Sequence, residues 1–206
     1  MMKRSPSTKS LILNKKGLIL CEGETERNYF SGFVTYEKNK RKFSGIGVEI
    51  YKPKDHSPVG LVKEAKKRIA EAKRDKSPYE FVWIVFDKDG HQNIPQAFSD
   101  AQDVKPKINI ALSVTCFEYF ILMHFIKTTK AFSKCDDVIS ELKKHFVEYE
   151  KSRNLYSDLE ERHTTACENS EWLCKMNQDD IDAGKMEYEL SSYTNVHLLI
   201  AALKKL

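Results

Sequence analysis

Residues 81–86, FVWIVF, are six consecutive apolar side chains rich in β-branched and aromatic types. Side chains of a strand point alternately to opposite faces, so a run that is apolar at every position needs cover on both sides. That requirement singles out an interior strand of a mainly parallel sheet with helices on both faces. The run stops at Asp87-Lys88-Asp89-Gly90, a turn sequence. No segment approaches the roughly 20 apolar residues that span a bilayer.

The surrounding pattern supplies the rest of such a sheet. GLILCE at 17–22 is a second buried strand, ended by Gly23; Thr25 then reads as the N-cap of a helix running to about Tyr36. GVEIYK at 47–52 alternates as a strand. Ser57 caps a helix whose apolar period, Leu61, Ala65, Ile69 and Ala72, runs through 74. After FVWIVF come a helix near 94–103, with Pro95 in its first turn, a strand INIALS at 108–113 and an apolar helix over 116–125. Beyond 130 only helices are expected, near 136–150, 155–176 and 194–205. The prediction is an α/β fold with a roughly four-stranded, mainly parallel sheet. Residues 1–14 form a flexible tail, 15–130 the α/β core and 131–206 a helical extension packed on it.

Composition narrows the function classes. Residues 1–80 hold 19 Lys and Arg against 10 Asp and Glu, a net +9, while the remainder carries 15 against 20, a net −5. A basic first part suits a polyanion partner. Five cysteines, Cys21, Cys116, Cys135, Cys167 and Cys174, with no C-x-x-C spacing, read as reduced thiols of a cytoplasmic protein. His163, Cys167 and Cys174 lack the paired spacing of a structural zinc site. Neither a G-x-G-x-x-G nor a P-loop motif is present, so no nucleotide cradle of those kinds is expected, and any energy-dependent switch must come from a separate ATPase.

Ligands of open parallel sheets gather at the carboxyl ends of the strands. Glu22 ends the first strand, Asp87 and Asp89 follow the third, and Ser113 and Glu118 lie at the end of the fourth and the start of the next helix. Carboxylates converging on one rim repel unless a cation lies between them. Oxygen ligands without Cys or His select Mg²⁺ or Mn²⁺. The D-x-D spacing of Asp87 and Asp89 turns both carboxylates to the same side of an extended segment, and Gly90 allows a sharp exit. Gly23 leaves room for a phosphate.

EGETERNYF at 22–30, FVWIVFDKDG at 81–90, SVTCFEYFILMHF at 113–125 and TNVHLLIAAL at 194–203 together resemble the RloB family over nearly the whole chain. The resemblance implies a Toprim-like, Rossmannoid fold related to the catalytic domains of OLD-family nucleases, topoisomerases and primases, and a link to restriction or abortive phage resistance. It implies metal chemistry on Glu22, Asp87 and Asp89, and maps the family's S-x-x-x-F-E pattern onto Ser113, Phe117 and Glu118. Tyr119 departs from a commoner Trp, and the SSY before Thr194 from a commoner Asn-Pro.

The expected activity is Mg²⁺-dependent hydrolysis of a nucleic-acid phosphodiester, catalysed by Glu22, Asp87 and Asp89, with Glu118 completing a second metal position. Arg27, Lys38, Lys40, Arg41, Lys42, Lys88 and His91 are the candidate nucleic-acid contacts. His124, inside an apolar helix, is expected to be a hydrogen-bonded core histidine. Two other classes compete: a noncatalytic nucleic-acid- or protein-binding subunit of a defence system, and a D-x-D enzyme such as a glycosyltransferase or phosphatase, which leaves Glu22 unexplained.

Overall fold

The computed structural model describes residues 15–40 and 46–205; residues 1–14, expected as a tail, lie outside this range. Strands and helices alternate through the first part: β1 (Lys15–Cys21), α1 (Glu24–Asn39), β2 (Ile46–Tyr51), α2 (Pro58–Arg74), β3 (Phe81–Asp87), α3 (Ile94–Gln102) and β4 (Ile108–Val114). Then follow α4 (Glu118–Leu122), α5 (Cys135–Leu142), α6 (Tyr156–Leu159), α7 (His163–Met176), α8 (Gln178–Asp182), β5 (Tyr193–Thr194) and α9 (Val196–Lys204).

The five strands lie in the order β2-β1-β3-β4-β5, parallel except for β5, which runs antiparallel to β4. FVWIVF occupies the middle strand and is covered on both faces. Trp83 and Val85 join Ile19, Cys21 and Ala111 in a core with α1, α7 and α9, whereas Val82, Ile84 and Phe86 join Leu18, Leu20 and Leu112 in a core with α2 and α3. Each fully buried side chain of this size contributes roughly 1.5–3 kcal/mol, so β3 is the main anchor of both layers.

Two local expectations hold in detail. Ser57 caps α2, its Oγ accepting the Gly60 N–H at 3.1 Å. His124 is fully buried, with Nδ1 3.2 Å from the Phe120 carbonyl and 3.1 Å from that of Ile121, and Nε2 3.1 Å from the Tyr29 hydroxyl. Burial pushes its imidazole down to about 4, so it is a neutral packing group at physiological pH.

Other expectations are corrected. Thr25 is no cap: Gly23 holds the N-cap position of α1, and Thr25 Oγ1 instead accepts the Ser152 N–H at 3.2 Å. The apolar segment 116–125 forms only the five-residue α4; beyond it the backbone tightens into turns, His124 N–H donating to the Ile121 carbonyl at 3.1 Å and Phe125 N–H to that of Leu122 at 2.9 Å. α5 stops at Leu142, and the chain turns back so that Tyr149 is buried with its hydroxyl donating to Glu118 Oε1 at 2.6 Å. The part beyond 130 is not helical throughout, since it supplies β5 to the sheet. Asn195 extends that edge with its side chain, accepting Leu112 N–H at 2.7 Å and donating to the Ile110 carbonyl at 3.2 Å. The sheet therefore has five strands rather than four.

Candidate metal centre

β2 lies on one side of β1 and β3 on the other, so the crossovers after β1 and β2 leave in opposite directions. In an open sheet this is the switch point where a crevice opens beyond the strand ends. Glu22 and Asp87 are the residues at that crevice. Register sets them level, Cys21 pairing with Val85, and Glu22 N–H continuing the ladder to the Val85 carbonyl at 2.9 Å.

A cavity of about 300 Å³ opens there, and Glu22, Glu26, Asp87, Asp89 and Glu118 all line it. The four predicted carboxylates are therefore brought together with two more, Glu26 and, at the mouth beside Arg27 and Lys52, Glu24. Glu22 is held at both oxygens: Oε2 accepts the Asp87 N–H at 3.0 Å and Oε1 lies 2.8 Å from His91 Nε2. Glu118 is 1 % exposed and fixed by the Tyr149 hydroxyl, with Lys151 Nζ 3.9 Å from its Oε1.

Asp87 is the centre of the electrostatic problem. Its Oδ1 is sealed from solvent and has no hydrogen-bond partner. Burial, then the neighbouring Glu26, Glu22 and Glu118 charges, push its carboxyl well above the usual carboxylate range, opposed by one backbone hydrogen bond from Phe117. A buried acceptor without a donor costs free energy, and several such groups around one point cost more. The donor set is all oxygen, which fits a hard divalent cation, and the orphaned Oδ1 is a free ligand atom for it.

Glu26 escaped the sequence reading. It is 4 % exposed, and burial followed by Glu118 and Glu22 raises its carboxyl to about 7. Its carboxylate folds back over Gly23, where any Cβ would collide with Glu26 Oε2. The glycine thus leaves room for this carboxylate. Glu22 precedes α1, so no helical spacing links the two, and it is the docking of α1 on the rim that brings Glu26 in.

The predicted basic contacts disperse. Lys38 and Lys40 are exposed at the far end of α1; Lys38 lies 14 residues beyond Glu24, about 21 Å along the axis. Arg27 is exposed and paired with Glu24 at 2.6 Å, outside the cavity wall. Arg41 and Lys42 lie outside the described residues. Lys88 turns to the other side of Asp89, its Nζ 3.5 Å from the Leu190 carbonyl. His91 braces Glu22. Ser113 is also turned away, its Oγ 3.0 Å from Thr194 Oγ1. The cations that do line the cleft are Lys52 and Lys151, with His56 beside them. Lys52 directly follows β2, so the strand-end argument applied to the second strand would have found it; Lys151 has no sequence signal.

The reduced state expected for the cysteines is overturned at one pair. Cys116 and Cys135 form a disulfide across 19 residues, with Cα atoms 5.6 Å apart, while Cys21, Cys167 and Cys174 are free. The start of α5 packs on the loop before α4, a tertiary contact that spacing does not reveal. Cys135 Sγ lies 3.3 Å from Glu118 Oε2, and the two sulfurs with Glu118 make a compact cluster. Sulfurs consumed in a disulfide are not thiolate ligands, so the all-oxygen set is the better cation site. Among the described residues no helix is long and apolar enough to cross a membrane.

The sequence model of the family described as RloB-like protein matches residues 17–203. That span holds every strand end, carboxylate and cation of the cleft. No curated protein and no solved structure matches the chain.

Proposed function

The chain belongs to the RloB-like family, and from its carboxylate cleft we propose that it is a Toprim-like, Mg²⁺- or Mn²⁺-dependent nucleic-acid phosphodiesterase. The observation that carries this reading is Asp87 Oδ1, a buried oxygen without a donor among five other carboxylates at the switch point of the sheet. Asp87, Asp89, Glu22 and Glu26 would hold the cation, with Glu118 on the far wall. When bound, such a cation polarises a phosphoryl oxygen and makes water a nucleophile near neutral pH.

The remaining groups of the chain orient and balance charge. His91 and the Asp87 N–H fix the rotamer of Glu22, so that its carboxylate is positioned in advance. Lys52 and Lys151 stand on the cleft wall as cations for the flanking backbone phosphates. The basic first part of the chain adds a salt-sensitive attraction to nucleic acid. The role is in anti-phage defence in the cytoplasm, with a separate ATPase protein as partner for any energy-dependent switching.

The test is cleavage of plasmid DNA, single strands and RNA by the purified chain with Mg²⁺ or Mn²⁺. Altering an outer-sphere partner alone costs 10–100-fold at metal sites, so Asp87→Asn should lose more than about 100-fold while remaining folded. Equal cutting by wild type and variant sinks the proposal, and a folded wild type inert on all three substrates supports the noncatalytic binding subunit.

A further inference from the structure

Asp89 is a shared wall. On one side is the carboxylate cleft; on the other is a second cavity of about 540 Å³, lined by Lys88, Gly90, Thr115, Phe132, Ser133 and Ser191 among others. Its volume falls within the roughly 300–1,000 Å³ of small-molecule sites. One wall, residues 129–132, is fastened at three points. Thr115 Oγ1 donates to the Phe132 carbonyl at 2.6 Å, the Tyr119 hydroxyl to that of Lys130 at 3.0 Å, and Ser192 Oγ to that of Thr129 at 3.0 Å. The Phe132 ring meets Tyr119 edge-on at 5.9 Å and carries the Lys130 ammonium 4.8 Å from its centroid, so its orientation is set. Opposite, Lys88 reaches the Leu190 carbonyl and forms no ion pair among the described residues.

We propose that this cavity receives one unpaired nucleotide adjacent to the phosphate handled at the carboxylate cleft, so that the substrate is single-stranded or locally unpaired nucleic acid. The inference rests on the phosphodiesterase reading of the cleft. A polynucleotide repeats phosphate, sugar and base. A strand with one phosphate at the cleft side of Asp89 carries its next sugar and base past Asp89, into this space. The lining matches that unit: a cation for phosphate, hydroxyls for sugar and base edges, and an aromatic ring, the element on which unpaired bases are commonly held. A base inside a duplex has both faces covered and its edge paired, and it enters such a pocket only after leaving the stack.

The probes are short fluorescent oligo-dT and oligo-rU strands and a blunt duplex of equal length, titrated into the full chain with Ca²⁺ replacing Mg²⁺. Wild type should bind the single strands about tenfold more tightly than the duplex, the scale of one base held on a ring. Ser191→Trp fills the cavity from an exposed position and should erase that preference; Phe132→Leu should weaken it while keeping duplex binding. Equal binding of strands and duplex by wild type, or an unchanged preference in Ser191→Trp, overturns the proposal. Cutting of plasmid, single strands and RNA is scored in parallel. Cutting without strand preference removes the cavity assignment and leaves the phosphodiesterase; strand preference with none of the three cut removes the phosphodiesterase, and with it the cleft phosphate on which the assignment rests.

Discussion

Replacing Glu26 by glutamine asks directly whether the cleft is built around a cation. In the folded chain Glu26 is 4 % exposed, and burial followed by the Glu118 and Glu22 charges raises its carboxyl from 4.5 to about 7. One pKa unit corresponds to about 1.4 kcal/mol, so ionising this group in the folded chain costs about 3 kcal/mol more than in the unfolded one. The sign follows from linkage: between 4.5 and about 7 the folded state holds the proton that the unfolded state has released, so stability falls as pH rises and the full loss is present above about 7. A neutral glutamine of the same shape has no such loss. Glu26→Gln should exceed wild type by about 3 kcal/mol near pH 8 and match it near pH 4. Urea unfolding in a chelator, followed by the fluorescence of Trp83 and Trp172, measures both proteins, and their difference cancels the titration of groups remote from the cleft. Adding Mg²⁺ narrows the gap. At about 100 times its Kd a ligand stabilises by about 2.7 kcal/mol, and wild type should gain this while the variant gains less. A variant no more stable than wild type at high pH, or more stable by the same amount at both pH values, would refute the reasoning.

Three further outcomes are expected. His91→Ala removes one of the two fixed partners of Glu22 and should weaken Mn²⁺ binding 10–100-fold by calorimetry. Lys52→Ala and Lys151→Ala should each lower the slope of log affinity against log salt for a DNA strand by about 1, whereas Lys38→Ala, some 21 Å from the cleft along α1, should leave it unchanged. Cys135→Ser opens the 19-residue loop and should cost about 3 kcal/mol under non-reducing conditions, with mass spectrometry of the native chain showing the Cys116–Cys135 pair blocked to alkylation.

The parallel sheet, its order of elements and the gathering of Glu22, Asp87, Asp89 and Glu118 at one rim were legible in the residues, because local pattern dictates them. A run apolar on both faces must be interior, helical periodicity marks the crossovers, and a residue at the end of a parallel strand lies on the ligand side whatever the rest does. What failed did so where partners distant in sequence decide. The His124 ring folds onto the carbonyls at the end of α4, and after α5 the chain turns back so that Tyr149 reaches Glu118. The two-residue β5 exists only because β4 offers it an edge. The cations were misassigned for the same reason: density of Lys and Arg in the sequence marks Lys38 to Lys42, but α1 carries Lys38 and Lys40 away from the rim while a loop from the far side delivers Lys151. Chemistry and strand ends determined which carboxylates share the cleft. Long-range packing alone decided that Glu26 joins them, that Cys116 meets Cys135, and that Asp87 is left with a buried oxygen facing no donor. Those outcomes depend on which surfaces are brought within a few ångströms after the helices dock, and no periodicity in the chain encodes that distance.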